Sequence, residues 1–494
     1  MSIRLTGMNS GLDTDAMVQD LVNAYDKKKE TYKGQQKRLS WKQDAWKELN
    51  TKVKNFVTKS LSNMRFSSAY TKKTTEVSNA SIASVVSSDG AVNGKQTLKV
   101  TGLAQSGYLT GSELKTTDDK KVTEGTKLSA LGYDSEGVVT LTKGNGKTIN
   151  IDVNGDMTVG QFVSTVKAAG LNANFDANNG RMYISAKDTG EANDFSFGGD
   201  ADALNALGLT GGTSHKENGT NASIVLNGVT YTNNTNTFSI NGLTITAKEL
   251  TQGDSFVSLT TSTDYDAVYD SIKSFIKEYS SLVNEMDKLY NADSAESYKM
   301  LTTEEKEAMS EDEVEEWENK IKAGLLRRDE SISSITSTLR NSMLQTYNVD
   351  GTTYSLSSFG INTLSYFLAA DNEKNAYHID GDPDDPDTSG EPDKLRAAIA
   401  SNPETVMKFF QGLANDMYQK ASKLSTSNNY RSYGNYYEDK KLKNEYDEWT
   451  KKITDYEAYV AKVEDKYYKQ FTAMEKAMGT IQSQQNYITQ MMGM

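Results

Sequence analysis

The chain has 494 residues, no cysteine, two histidines, four prolines, 36% hydrophobic residues and a formal charge of −13, a length that calls for about two to four domains. The missing cysteines exclude disulfides, thiolate nucleophiles, iron–sulfur clusters and cysteine–zinc sites, and His215 and His378 stand too far apart for a His-x-x-x-His zinc pair. The acidic balance argues against nucleic acid as the main partner, because phosphate binding needs a basic surface.

In chain order, the opening MSIRLTGMNSGLDTD has one arginine and no apolar run, so no cleaved secretory signal is expected. No stretch approaches the roughly 18 apolar residues of a spanning helix, so membrane insertion is not expected either. Asp13-Thr14-Asp15 is placed to cap a first helix with Met17, Val18, Leu21, Val22 and Tyr25 on its apolar side. Downstream, Leu39, Trp46 and Val53 recur every seven residues, Leu49 and Phe56 fill the intermediate position, and Val57, Leu61 and Met64 carry the stripe onward. This predicts a coiled-coil-like seam on a helix of about 30 residues. From Asp26 to Lys59 there are 11 Lys and Arg against four Asp and Glu. They alternate with the seam, so they read as a solvated helix face able to pair with acids of a neighbouring subunit.

Residues 90 to 253 hold 24 of the 36 glycines and none of the four tryptophans, between short Val, Ile, Thr and Leu runs. That predicts strands and turns. Residues 95–100 read as a strand, 138–142 and 148–153 as a hairpin about Asn145-Gly146, and Thr158 as the cap of a short helix carrying Val159, Phe162, Val163 and Val166. Strands follow at 172–175 and 181–184 about Asn179-Gly180, then three alternating runs at 222–231, 237–247 and 255–261. After Asp264 a helical stripe returns with Val268, Ile272, Ile276, Tyr279, Val283, Met286 and Leu289. Residues 291–320 carry 11 acids against three bases, and Ile332, Ile335, Leu339, Met343 and Leu344 form another stripe. Residues 380–393, with three of the four prolines, read as an exposed acidic loop.

The last segment places Ile453, Tyr456, Val460, Val463, Tyr467, Phe471, Met474, Met478, Ile481 and Ile488 at helical spacing, with a stutter at Tyr467 to Phe471. A helix with one apolar stripe needs a partner to bury it. Pairing the two ends with each other is the economical solution and makes the β-rich middle an insertion. An ordinary helical bundle with both stripes in its core is the alternative.

No enzymatic constellation stands out. Gly146-Lys147-Thr148 resembles the end of a phosphate loop, but Leu141 occupies the position of its first glycine, and a hairpin explains it. Residues 380–387 carry enough carboxylates for calcium but place Asp385 where an EF-hand needs glycine. Triplets beginning at Asn79, Asn218, Asn221 and Asn233 have the N-glycosylation form, which means little without a secretory signal. Accordingly no catalytic, cofactor-binding or metal residue is assigned.

Residues 3–19, containing Thr6-Gly-Met-Asn-Ser-Gly-Leu-Asp-Thr-Asp15, resemble the N-terminal signature of the bacterial flagellar filament cap family, also called hook-associated protein 2. Residues 470–478 and 482–490 are similar to its other end, and residues 324–330, 356–362 and 402–410 match further blocks in order. Residues 158–209 resemble a small module shared by flagellar hook and filament proteins. Residues 430–468 and 371–393 look like local elaborations.

The resemblance implies an α+β multidomain fold. Residues 1–40 would form a leg segment paired with 450–494, residues 41–72 and 266–449 a helical stalk, residues 73–110 and 218–265 a β-rich head, and residues 111–217 an inserted outer head. It implies a ring-shaped homo-oligomer, with five subunits favoured, at the extracellular tip of the flagellum. The ring would promote insertion and folding of exported flagellin and prevent its loss. Further implied partners are the hook–filament junction protein, an export chaperone and the type III export apparatus, which needs no cleaved signal. Leu12, Leu21, Val22, Leu39, Trp46, Leu49, Val53, Phe56, Phe471, Met474, Met478, Ile481 and Ile488 are the expected coiled-coil and filament contacts. A host-glycan or mucin adhesin, or a flagellin-like or junction structural protein, remain rival readings, and Gly-Leu-Asp-Thr-Asp at 11–15 favours the cap.

Overall fold

The computed structural model describes residues 11–365, 367, 369, 373–491 and 493. The chain divides into a helical unit built from residues 1–70 and 265–494, and a β-rich unit of residues 71–264 inserted between them. The class is α+β, and long helices stand at both ends of the chain.

In the helical unit, a single helix spans Thr14–Asn55 and continues through a π-helical turn, Phe56–Leu61. The sequence pattern suggested two successive helices. They are one, because no proline interrupts them and the charged stretch between them is covered by Tyr32, which packs on Trp449 and Tyr456 at ring distances of 5.7 and 5.5 Å. Gly34 sits within this helix where a Cβ would come within 2.9 Å of the Met300 Cβ, so the missing side chain admits the neighbouring segment. The helices Tyr265–Tyr290, Glu330–Met343, Lys394–Ser401 and Pro403–Leu424 enclose the core. There Phe56 stacks on Phe275 at 5.8 Å, and Phe409 meets Phe359 and Phe410 at 4.8 and 5.2 Å. Pro403 opens its helix at a position whose N–H has no helical acceptor, behind Asn402, whose side chain caps Thr405 N–H. The last helix runs from Asp439 to Met491.

Two expectations fail here for clear reasons. Leu344 is exposed, because the helix that buries Ile332, Ile335, Leu339 and Met343 ends at Met343. The loop at 380–393 is not simply exposed: the Asp382 side chain is buried against the Lys273 ammonium at 2.5 Å, Asp384 shares that cation at 2.6 Å, and His378 Nδ1 meets Asp385 at 2.7 Å. Pairing with one cation removes the repulsion that would otherwise keep these carboxylates in water.

The inserted unit is antiparallel throughout. One part joins a five-stranded sheet, ordered Lys73–Val77, Val257–Thr263, Gly94–Gly102, Ala222–Leu226 and Val229–Asn233, with a three-stranded one ordered Thr237–Ile240, Leu243–Ala247 and Ala83–Ser87. Leu98, Val100, Ile224, Phe238, Ile245 and Leu259 fill its core. The alternating runs read from sequence at 222–231 and 237–247 are each a hairpin. Asn227-Gly228 and Asn241-Gly242 adopt positive φ at both positions (50° and 83°, 47° and 79°), as a two-residue turn between right-twisted strands requires. The other part carries a four-stranded and a three-stranded sheet with the helix Val159–Ala168. That helix begins in a capping box, where Thr158 accepts from Gln161 N–H and Gln161 returns the bond to Thr158 N–H. Its own Phe162 and Val166 are fully buried together with Leu128, Leu141 and Met182.

Trp46 is fully buried, lies parallel to Tyr437 at 5.1 Å and donates from Nε1 to Asp329 Oδ2 at 3.2 Å. Trp46→Ala removes the buried ring and both of these contacts and is expected to cost about 3–5 kcal/mol, measurable as a lower urea midpoint for the helical unit.

Candidate assembly interface of the terminal helices

The N-terminal helix starts where Asp13 accepts a hydrogen bond from Ala16 N–H at 3.0 Å, just after Gly11 takes a φ of 70°. Along it, one residue in seven, Val18, Tyr25, Tyr32, Leu39, Trp46 and Val53, supplies the apolar contact. Val18 packs with Val22 and Val460, Tyr25 meets Tyr459 at 6.0 Å, and Tyr32 lies between Trp449 and Tyr456. Leu39, Trp46 and Val53 belong to the bundle core.

The neighbouring column, four residues on, is polar in its middle and reads the C-terminal segment by hydrogen bonds. Gln36 Nε2 donates to Thr450 Oγ1 at 2.7 Å, Gln43 Nε2 to the Leu442 carbonyl at 3.0 Å, and Asn50 Nδ2 to Asn435 Oδ1 at 3.2 Å. Asn50 Oδ1 also accepts from Tyr436 N–H at 2.8 Å. As the donors ascend the chain their partners descend, so the two ends pair antiparallel. Polar groups at seam positions cost stability but fix register.

Charge ties the basic face of the N-terminal helix to the C-terminal helix and to the segments that carry Asp329 and Glu318. The Lys33 ammonium meets Glu457 at 3.1 Å, and Lys42 meets Asp329 at 3.1 Å. Glu318 receives both Lys306 at 2.5 Å and Lys37 at 3.2 Å. Burial alone would raise the Glu318 carboxyl, but the two ammonium groups more than offset it and hold it below the ordinary carboxylate range. The basic helix face is thus partly neutralised by acids of its own chain.

The register has a consequence at the C-terminal end. The stripe residues Ile453 and Val460 are buried, Tyr467, Phe471 and Met474 are half-buried, and Met478, Ile481 and Ile488 are exposed. Among the described residues, the register that sets Gln36 against Thr450 and Tyr25 against Tyr459 brings Thr14 opposite the turn around Phe471, and Glu475, one turn further on, is still buried. Ile481 is 62% and Ile488 56% exposed, and among the described residues nothing covers them.

With this architecture in hand, comparison with known proteins is decisive. The family model for the C-terminal part of flagellar hook-associated protein 2 matches residues 219–388 and 390–483, and that for its N-terminal part matches residues 10–107. The chain belongs to the flagellar hook-associated protein 2 family. Flagellar hook-associated protein 2 of Halalkalibacterium halodurans is 25% identical over 452 residues, covering 84% of this chain and 80% of the relative. The A-type flagellar hook-associated protein 2 of Pseudomonas aeruginosa is 25% identical over 371 residues, covering 70% and 71%. Among solved structures, domains D1 to D3 of the flagellar cap protein FliD from Escherichia coli align at a TM-score of 0.48 and 19% identity, over 77% of this chain and 97% of that one.

Within this family member the anticipated contact residues fall into three groups. Trp46, Leu49, Val53 and Phe56 are buried in the core of the helical unit, with the half-buried Leu39 packed at its margin, and there they hold the chain's own fold. Val22 and Phe471 belong to the terminal-helix seam, with Met474 half-buried close by. Leu12, Leu21, Met478, Ile481 and Ile488 are exposed. The signature residues before Gly11 lie outside the described residues. Sequence reading missed Tyr32, Gln36, Gln43 and Asn50. Tyr32 could have been found, because it continues the seven-residue column. The three amides could not, because a polar residue in a seam column looks like surface.

No helix among the described residues is long and apolar enough to cross a membrane, and no group of three or more His, Asp or Glu among them could hold a metal ion.

Two outcomes test the seam. Val460→Asp puts a charge at a buried position and is expected to cost several kcal/mol, whereas Ile481→Asp changes the stability of the isolated chain by no more than about 0.5 kcal/mol; chemical denaturation separates the two. Glu318 has a folded pKa below its unfolded value, so its stabilisation is present above about pH 4.3 and is lost as the pH falls through the lower folded value. Glu318→Gln should therefore reduce the loss of stability between about pH 7 and pH 3, read from urea midpoints at both values.

Proposed function

We propose that the chain caps the distal end of a growing flagellar filament. Identical copies form a closed ring, five in number, that holds exported flagellin at its insertion site, promotes its folding and prevents its loss. Family membership supports the flagellar role. The observation that supports the capping geometry is the C-terminal stripe, which stays apolar at Met478, Ile481 and Ile488, all of them exposed among the described residues.

In this reading residues 1–40 and 450–494 form the leg, residues 41–72 and 266–449 the stalk, residues 73–110 and 218–265 the inner head, and residues 111–217 the outer head. Leu12, Leu21, Met478, Ile481 and Ile488 meet neighbouring copies or the filament end. The protein acts outside the cell, reaches the tip through the type III export apparatus with a cytoplasmic chaperone, and first assembles on the hook–filament junction protein. No catalytic step is assigned to it.

Electron microscopy of the purified chain at micromolar concentration should show closed rings. The Ile481→Asp/Ile488→Asp double variant should be monomeric at the same concentration, with an unchanged denaturation midpoint. A parent chain that stays monomeric, or that grows long filaments unaided, would overturn the proposal.

A further inference from the structure

The connection between Pro403–Leu424 and Asp439–Met491 has an unusual composition. Its 14 residues, 425 to 438, comprise four Tyr, three Ser, three Asn and one each of Thr, Arg, Gly and Glu, with no aliphatic side chain. Tyr and Arg on a framework of Ser, Asn and Gly supply rigid amphipathic contact area with adaptable hydrogen bonding, a composition shared by binding loops.

Half of the loop is fastened to the protein. Tyr436 and Tyr437 are buried, the latter stacked on Trp46. Asn428 Oδ1 accepts from the N–H groups of both Tyr430 and Arg431 at 2.8 Å, the Arg431 guanidinium bonds the Leu424 carbonyl, and Gly434, at a φ of 78°, donates to the Ser425 carbonyl at 2.8 Å. Lys440 N–H donates to the Tyr430 carbonyl at 3.0 Å. The other two tyrosines face outward: Tyr430 is 55% and Tyr433 84% exposed. Among the described residues neither hydroxyl makes a hydrogen bond. Two large rings on an anchored backbone lose little freedom on binding.

The rim of this loop is basic. Lys54 lies 3.8 Å from where a Gly434 Cβ would stand, and Lys440 is held by the Asn428 carbonyl at 2.9 Å. Neither lysine has a carboxylate partner among the described residues. The complementary surface is on the same chain but elsewhere. On the helix Glu311–Ala323, Asp312, Glu315 and Glu316 share one exposed face with Asn319 and Lys320. All three acids are exposed, and none has a cation partner among the described residues. Phenol hydroxyls and two ammonium groups on one side, and a helix face with three unpaired carboxylates against the single Lys320 on the other, are chemically matched.

We propose that Tyr430 and Tyr433 of one copy dock against the helix face carrying Asp312, Glu315 and Glu316 of the next, with Lys54 and Lys440 pairing with its carboxylates. The two surfaces differ, so the contact is head-to-tail, the type that propagates around a ring until it closes. The inference rests on the reading of the chain as a ring-forming cap and adds to it a contact within the helical unit.

The absence of native cysteine permits a direct test. Chains carrying Tyr433→Cys and Glu316→Cys are assembled together and treated with a short bis-maleimide. A mixed dimer should form well above the level given by Tyr433→Cys with Asn145→Cys, an exposed hairpin position of the other unit, and neither variant should cross-link to itself. In parallel, Tyr430→Ser/Tyr433→Ser and Glu315→Lys/Glu316→Lys should each weaken self-association about tenfold or more, with circular dichroism spectra unchanged. Rings that persist without the mixed cross-link overturn this contact and leave the cap reading intact. A Tyr433→Cys self-cross-link overturns it in favour of a symmetric contact. A parent chain that never assembles overturns both.

Discussion

The helical unit depends on one long-range contact, the antiparallel pairing of its two terminal helices. Asn50 and Asn435 are 385 residues apart. In a flexible chain, closing a loop of that length costs about 5 kcal/mol beyond a constant, more than one amide hydrogen bond returns. The pairing is affordable because the core does most of the closing. Phe56, at the end of the N-terminal helix, packs on Phe275, and the helix Pro403–Leu424, which leads into the C-terminal helix, contributes Phe409 and Phe410 to the same core. From that anchor the seam extends by local steps, each adding a ring contact or an amide hydrogen bond.

Register is decided by the polar column more than by the apolar one. Tyr25, Tyr32 and Trp46 would find aromatic or aliphatic surface on the C-terminal segment at several offsets. Gln36, Gln43 and Asn50 each meet a particular acceptor, and a slip of one helical turn would leave the buried Asn50 unpaired at a cost of about 1–3 kcal/mol, while the half-buried Gln36 and Gln43 could turn to water at a smaller cost. The exposed ion pairs along the same helix, such as Lys33 with Glu457, contribute less, because exposed pairs are worth about 0–1 kcal/mol. They make the alternatives worse by opposing like charges.

Much of this was legible in the sequence, and the gaps have physical causes. The Asp13 cap, the stripe from Val268 to Met286, the Thr158 capping box and the Asn145-Gly146 hairpin all follow from local chemistry, and local chemistry survives folding. The continuity of the N-terminal helix was hidden by the charges from Asp26 to Arg38, although Tyr25 and Tyr32 carry the seven-residue column through them. The turns at Asn227-Gly228 and Asn241-Gly242 were signalled by their dipeptides but lie inside alternating runs that read equally well as single strands. The burial of Asp382 was not legible, because the cation that makes it tolerable, Lys273, is 109 residues away.

The C-terminal helix carries the same lesson to its functional end. Ile453, Val460, Tyr467, Met474, Ile481 and Ile488 recur every seven residues, a period that suits packing against another helix and has no use on a solvated face. Among the described residues the intramolecular seam uses the first half of that column, as far as Phe471, opposite the first turn of the antiparallel helix. A helix end without a packed face gains little stability from propensity alone, and exposed Ile and Met side chains favour aggregation unless something covers them. An apolar period that continues at exposed positions is therefore what the proposed contact with another copy or with the filament end would use. Placing that contact at the end of the long helices leaves the core around Phe56 and Phe409 free to hold the chain together whether or not the partner is present.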